Sequence, residues 1–223
     1  MRVVRTLQVC ALALLVPAVC RADDFSFNGS FTADNDVQAF TFTVGATSTV
    51  TLRTWSYAGG VDAAGMTVPA GGFDPVLALF SGTGSGATLV GQNDDGTNVA
   101  VDPTTGKQYD TYLQESNLAP GTYTVTVMEY DNVANGPTLG DGFAEGGSTD
   151  FTSKFGCSNG IFCDISIPPV NNRTPNWEFD INGVLTASEV GGATAPTPEP
   201  SGIALLGTAV LGAAGVLRRR LRA

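Results

Sequence analysis

Alternation of apolar and polar residues, interrupted by turn signals, runs from residue 23 to about residue 188 and predicts a chain of β-strands. In the clearest stretch, Phe40, Phe42 and Val44 fall on one side and two threonines on the other. Further strands are predicted in residues 25–31, 48–55, 75–80, 122–130 and 176–186. No helical periodicity lasts ten residues in this region, so the pattern favours an all-β body.

Two stretches suggest how the strands are arranged. Pro75–Phe80 is apolar on both faces, which predicts a central strand covered on both sides. Asn182-Gly183 sits between two short alternating runs and predicts a tight hairpin. Short strands and glycine-rich turns together predict an antiparallel β-sandwich of jelly-roll type with eight to ten strands.

The N-terminus has the pattern of an export signal. Arg2 and Arg5 precede the mostly apolar stretch Leu7–Val19, and small residues then lead to a cleavage point between Ala22 and Asp23. We therefore expect residues 1–22 to be a signal peptide and residues 23–190 to form the β-sandwich domain. Residues 191–197 are small residues and proline, which predicts an extended linker.

The C-terminus contains three features in a fixed order. The motif Pro198-Glu199-Pro200 comes first, and the uncharged run Ser201–Leu217 of 17 residues follows it. As a helix this run would be about 25 Å long, slightly short of the ~20 residues that span a bilayer. The basic residues that end the chain are Arg218, Arg219, Arg220 and Arg222. They favour the cytoplasmic side of a membrane, so the body would lie outside.

Residues 198–223 resemble the PEP-CTERM sorting signal of Gram-negative bacteria. The resemblance implies a protein held briefly in the inner membrane until an exosortase cuts near the Pro-Glu-Pro motif, and then released to the surface or the extracellular matrix. It also implies a link to exopolysaccharide and biofilm. A plain membrane anchor or a buried helix are the alternatives.

The body between the two signals is acidic. Residues 23–197 contain 20 acidic and four basic residues, a formal net charge of −16. Such a surface repels phosphate backbones, which excludes nucleic acid as a partner. Solvation of an extracellular protein explains the surplus, and binding of divalent cations is the other explanation.

The cysteine and histidine counts limit the chemistry. Cys157 and Cys163 remain after signal removal, and in an oxidising compartment they are expected to form a disulfide. The chain has no histidine, which excludes Ser-His-Asp and Cys-His catalysis and histidine-ligated zinc. We therefore expect a non-catalytic protein; a glycoside hydrolase that uses two carboxylates is a minority alternative.

Four stretches in the body resemble bacterial pre-peptidase C-terminal domains. They are Asp34–Val44, Phe73–Phe80, Asn93–Gly96 and Leu118–Val127, in the family's order over about 95 residues. The resemblance implies a jelly-roll-like accessory or binding module, and some members of the family bind calcium. Long inserts at residues 56–72 and 132–175 depart from the compact family pattern.

Calcium prefers several oxygen ligands on tight loops. Asn93, Asp94 and Asp95, with Asp110 beyond them, are the predicted calcium ligands, and no other cofactor is expected. The alternative is that Asn-Asp-Asp-Gly simply forms a turn.

An extracellular polysaccharide is a further expected partner. Alternation places Trp55 on the outward face with Arg53, so Trp55 is the predicted sugar-stacking residue, although aromatic residues in sandwiches mostly belong to the core.

Overall fold

The computed structural model describes residues 22–157, 162–164 and 172–191, and these residues form an all-β protein. These described residues contain eleven strands: β1 Asp23–Ser30, β2 Gln38–Val44, β3 Ser48–Thr54, β4 Gly60–Val61, β5 Thr67–Val68, β6 Pro75–Ser81, β7 Thr88–Asn93, β8 Tyr112–Leu118, β9 Gly121–Glu129, β10 Asn176–Val184 and β11 Thr186–Glu189. All strand pairings are antiparallel, as the sequence predicts.

The strands form two main sheets and one small ribbon. The four-stranded sheet has the order β1-β10-β3-β8, and the five-stranded sheet has the order β11-β2-β9-β6-β7. The ribbon pairs β4 with β5 in the first long insert. The prediction of eight to ten strands did not include this ribbon, because strands of two residues leave no alternation in the sequence.

The main core lies between the two sheets and is built from the inward positions of the predicted alternation. Phe40 and Phe42 of β2 pack with Val50 and Leu52 of β3, and all four are almost completely buried. Phe27 and Trp177 add to an aromatic cluster around Phe40. Burial of such side chains contributes roughly 1.5–3 kcal/mol each.

Strand β6 is covered on both faces, which confirms the prediction for Pro75–Phe80. Leu77 and Leu79 face the main core. Val76, Ala78 and Phe80 instead form a second apolar cluster with Met128 of β9. Tyr130, Val133, Leu139 and Phe143 pack against this second cluster. Part of the second long insert therefore covers the outer face of the five-stranded sheet.

The hairpin predicted at Asn182-Gly183 is wrong. Strand β10 continues through both residues to Val184, and β11 then pairs with β2 in the other sheet. Gly183 has φ +84° and lies at a register shift in the β1–β10 pairing. Glycine adopts a positive φ easily, and both a β-bulge and a tight turn can require one, so an Asn-Gly pair fits either structure.

Among the residues that the structure describes, helical structure is limited to two 3-10 turns, Leu139–Asp141 and Phe151–Phe155. No helix in the part of the chain described here is long and apolar enough to cross a membrane. The predicted signal peptide up to residue 21, the linker from residue 192 and the sorting segment with its Pro-Glu-Pro motif and arginines lie outside the described residues. Strand β1 begins at Asp23, directly after the predicted cleavage point.

Candidate functional site

Acidic side chains are concentrated inside one end of the sandwich. Six acids at this end are each at most 5% exposed: Asp34, Asp74, Asp102, Asp110, Glu129 and Asp164. Asp180 is 2% exposed as well, but it is bonded to Ser26 and Trp55 and is not part of this group. We call this group the acidic cluster. One cationic side chain, Arg173, is buried with them and pairs with Asp102 at 3.4 Å. Buried charge is costly unless it is paired, hydrogen bonded, protonated or bound to a metal, so each member needs an explanation.

Asp110 holds the loop that leaves β3. Its carboxylate accepts hydrogen bonds from the backbone N–H of Tyr57 (3.0 Å) and of Ala58 (2.8 Å), and from the Thr54 hydroxyl (3.0 Å). Burial raises the pKa of Asp110 although these hydrogen bonds oppose the shift. Both carboxylate oxygens are therefore occupied by donors from the loop itself.

Asp102 and Asp34 are satisfied in the same manner. Asp102 accepts from the backbone N–H groups of Thr104 and Thr105 at 2.9 and 2.7 Å. Burial opposes its ionisation, but these bonds and Arg173 keep the pKa of Asp102 below its ordinary value. Asp34 accepts from the backbone N–H groups of Asp150 and Thr152, both at 2.8 Å, and ties the second insert to the sandwich.

Asp164 is linked to Tyr57 and Arg173. The Tyr57 hydroxyl donates to Asp164 Oδ2, and the Arg173 guanidinium stacks 3.5 Å from the centre of the Tyr57 ring. Burial and the bond to Asp164 raise the pKa of Tyr57. Cys163 forms the predicted disulfide with Cys157, with a Cα–Cα distance of 5.7 Å, and this bridge anchors the segment that carries Asp164.

Asp74 and Glu129 differ from the other four acids. Asp74 Oδ1 and Glu129 Oε2 are buried and have no hydrogen-bond partner among the described residues. Burial, strengthened by the charges of Asp95 and Asp164, raises the pKa of Asp74 well above its ordinary value. Burial and the neighbouring Asp74 do the same to the pKa of Glu129.

The predicted calcium residues lie beside this pair but do not form one set of ligands with Asp110. The Asn93 amide donates to the backbone oxygens of Asp95 and of Tyr112, the latter at 2.9 Å. The Asp94 backbone oxygen accepts from the Thr111 hydroxyl at 2.8 Å. Within residues 22–157, 162–164 and 172–191, no group of three or more acidic or cysteine side chains could hold a metal ion. Calcium binding by Asn93, Asp94, Asp95 and Asp110 stays a prediction.

Trp55 lies outward with Arg53, on the face that the alternation predicts. The Arg53 guanidinium is 3.6 Å from the centre of the Trp55 ring, and the indole N–H donates to Asp180 at 2.7 Å. Gly60 contacts the same ring so closely that a Cβ there would lie 2.6 Å from it. Arg53 and Gly60 therefore occupy much of the surface that a stacked sugar would need, and sugar binding by Trp55 stays a prediction.

No protein-family model matches the chain, and no curated protein matches it. The chemistry must therefore be inferred from the side chains themselves.

A groove of about 670 Å³ is lined by β1 and β10 of the four-stranded sheet and by the first long insert. Ser56, Gly72, Asn176, Trp177 and Glu178 are among the residues that line it. Burial, together with the charges of Asp62 and Asp180, raises the pKa of Glu178 to about 8. The carboxyl groups of Asp62 and Glu178 are within hydrogen-bonding reach of each other.

Of the acidic cluster, the sequence analysis predicted only Asp110 as a site residue, and the signals for Asp74, Glu129 and Asp164 were weak. Asp74 lies in the Gly-Gly-Phe-Asp-Pro stretch, directly before a covered strand, and Glu129 ends the buried part of β9. Asp164 follows the second cysteine of the disulfide. For Asp74 the available signal was its position directly before the apolar strand β6, because such a position is buried with the strand.

Proposed function

We propose that the chain is an exported, non-catalytic protein of the cell surface or extracellular matrix, processed by an exosortase and linked to exopolysaccharide. In this proposal the body is a jelly-roll-type sandwich, and residues 198–223 form a temporary transmembrane anchor. The observation that carries the proposal is the ordered C-terminal combination of Pro198-Glu199-Pro200, an uncharged run and four arginines, together with an N-terminal export pattern.

Two features of the body support this proposal. The Cys157–Cys163 disulfide suits an oxidising compartment outside the cytoplasm. Most of the buried acids hold backbone N–H groups in place, which is a structural role that leaves them no free oxygen for chemistry.

The test is the intact mass of the protein recovered from the culture medium and from the membrane fraction of its host. We expect released protein that begins at Asp23 and ends between Thr197 and Pro200. Alanine at all of Pro198, Glu199 and Pro200 should leave the full tail on membrane-bound protein. Glu189→Ala, a change of the same charge in β11, is the matched control and should be released normally. Wild-type protein found in the cytoplasm with both ends intact would overturn the proposal.

The second candidate function is a binding module for a carbohydrate or another surface ligand, with calcium as its cofactor. The groove beside Trp177 and Glu178 favours it, since ligand sites are concave surfaces with a few polar groups. Glycan-array binding that is lost in Trp55→Ala would support the predicted residue. Binding that survives this change and is lost in Asn176→Ala would place the ligand in the groove instead.

The third candidate, a carboxylate-based glycoside hydrolase, has the weakest support. Retaining and inverting enzymes need carboxyl groups about 5–9.5 Å apart. Asp62 and Glu178, the acidic pair at the groove, are within hydrogen-bonding reach of each other and so closer than that.

A further inference from the structure

The groove between the first long insert and the four-stranded sheet has a polar floor. Phe27 of β1 and Phe179 of β10 belong to the main core, so the alternate positions of these strands face away from it. At the groove, these outward positions hold two directly paired sets of residues, Asn28 with Glu178 and Ser30 with Asn176. Amide, hydroxyl and carboxyl groups therefore lie side by side on the floor.

The first insert gives the groove an apolar lining and a fixed shape. Its residues 68–70, with the sequence Val-Pro-Ala, line the groove together with β1 and β10. The Ala63 N–H donates to Asp180 Oδ2 at 2.9 Å, and the Ala64 N–H donates to Ser26 Oγ at 3.1 Å, so the insert is fixed over the outer face of the sheet. A concave surface with apolar residues and a few polar groups suits a small organic ligand such as a sugar ring.

Glu178 is the only ionisable residue among the described residues that line the groove. It is 8% exposed, and its Oε1 has no hydrogen-bond partner in the described part of the chain. Asp180, two residues further along the same face of β10, accepts from Ser26 at one oxygen and from Trp55 and Ala63 at the other. A buried carboxylate oxygen without a donor is costly, so a ligand that donates to Glu178 would be stabilised most.

The charge around Glu178 favours a cationic donor. Burial, together with the charges of Asp62 on the insert and Asp180 on β10, raises the pKa of Glu178 to about 8. Arg53, opposite Asp180 in the β10–β3 ladder, stacks on Trp55 and is not among the residues that line the groove. Near neutral pH the carboxyl group of Glu178 therefore holds a proton, and a ligand ammonium group would replace that proton with a charge-assisted hydrogen bond.

We propose that the groove binds a saccharide that carries a primary amine, with the ammonium group of the ligand paired to Glu178 and the sugar ring against residues 68–70. This ligand class deepens the second candidate function and rests on it. A neutral saccharide would use the amide and hydroxyl groups of the floor but would supply no charge to Glu178. An acidic saccharide would be repelled by the three carboxyl groups at this position.

The test is calorimetric titration of the full chain, in a detergent without a sugar headgroup and in about 0.15 M NaCl to screen long-range attraction. The two probes are the β-1,4-linked tetramer of glucosamine and the N-acetylated tetramer of the same length. At pH 7 the amine tetramer should bind roughly tenfold more tightly, because hydrogen bonds between charged groups are the stronger class. Its affinity should rise roughly tenfold between pH 5 and pH 6, since its binding releases the proton of Glu178. The affinity of the N-acetylated tetramer should not change.

Three variants locate the effect. Glu178→Gln should lose both the preference for the amine tetramer and the pH dependence, while the N-acetylated tetramer binds as before. Glu115→Gln is the matched control, because it removes the same charge from β8 at the other edge of the same sheet. It should behave like the wild type. Asn176→Ala should weaken both tetramers, because Asn176 lies on the floor of the groove.

The outcomes separate this inference from the functions on which it depends. Equal binding of the two tetramers by the wild type would overturn the amine preference and leave saccharide binding standing. Binding of neither tetramer would overturn both. Equal loss of affinity in Glu115→Gln and Glu178→Gln would also overturn the inference, since attraction would then follow the net charge of the body. Export and processing play no part in the titration, so its result is independent of the first function proposed above.

Discussion

Replacing Asp110 with alanine separates a structural role for this residue from a role as a calcium ligand. Its carboxylate accepts backbone N–H bonds from Tyr57 and Ala58 and the hydroxyl bond from Thr54, and all of these groups are buried. The Thr54 hydroxyl in turn accepts from the Thr111 N–H at 2.8 Å. Asp110→Ala leaves two buried backbone donors without an acceptor and weakens the link between β3 and β8.

The cost follows from those donors. An unsatisfied buried donor costs about 1–3 kcal/mol. Two of them give about 2–6 kcal/mol, and the lower half of that range applies because removing a buried carboxyl also removes its desolvation cost. We expect a loss of about 3 kcal/mol in the free energy of unfolding. For a domain of this size the melting temperature should fall by about 6–12 °C.

The assay is urea and thermal unfolding followed by near-ultraviolet circular dichroism, once in EDTA and once in excess CaCl₂. A structural Asp110 predicts the same loss of stability in both buffers. Asp95→Ala is the control, because Asp95 is exposed and belongs to the same predicted calcium set; it should change stability by less than about 0.5 kcal/mol. A loss for Asp110→Ala that appears only with calcium present would refute the structural assignment.

Two further predictions concern pH and packing. The folded pKa of Glu178, about 8, lies above the ordinary value of 4.5, so the folded state binds more protons than the unfolded state between these values and stability should fall as the pH rises through this window. Glu178→Gln should flatten that slope in urea midpoints measured at pH 5 and pH 8; an unchanged slope would contradict the assignment. A Cβ at Gly29 would lie 2.3 Å from the Trp177 ring, so Gly29→Ala should cost about 1–3 kcal/mol in urea unfolding, whereas Gly86→Ala, with open space around it, should cost almost nothing. Equal midpoints for the two alanine variants would show that Trp177 moves without cost.

Alternation predicted most of the strands because one face of each strand is buried and the other is not. Strand β2 is the clearest case, since Phe40 and Phe42 reach the core while Thr41 and Thr43 do not. The prediction at Asn182-Gly183 was wrong because a tight turn and a β-bulge can have the same Asn-Gly sequence. Strand β11 belongs to the five-stranded sheet because it pairs with β2, which is more than 140 residues away in sequence. No local sequence pattern predicts that pairing.

The candidate sites could be predicted only in part, because strand pairing brings together acids that are far apart in sequence. Asn93, Asp94 and Asp95 are visible in sequence because adjacent polar residues stand out. Asp74 and Glu129 lie 55 positions apart and become neighbours only through the β6–β9 ladder. Each is a single acid at the end of a buried strand, and no local sequence pattern shows which other acids lie near it.

Solvation of the surface does not explain the whole negative charge of the body, because many of its acids are buried. Solvation accounts for acids that lie on the surface, but nine of the 20 acids in residues 23–197 are buried, and six of these nine form the acidic cluster. Loop N–H groups donate hydrogen bonds to Asp34, Asp102 and Asp110 of this cluster. These buried carboxylates fix the conformation of the loops and glycine-containing inserts that donate to them. Asp74 and Glu129 remain outside that explanation. Like Glu178, each of them keeps a buried oxygen that has no hydrogen-bond partner in the described part of the chain, and burial raises the pKa of all three carboxyl groups.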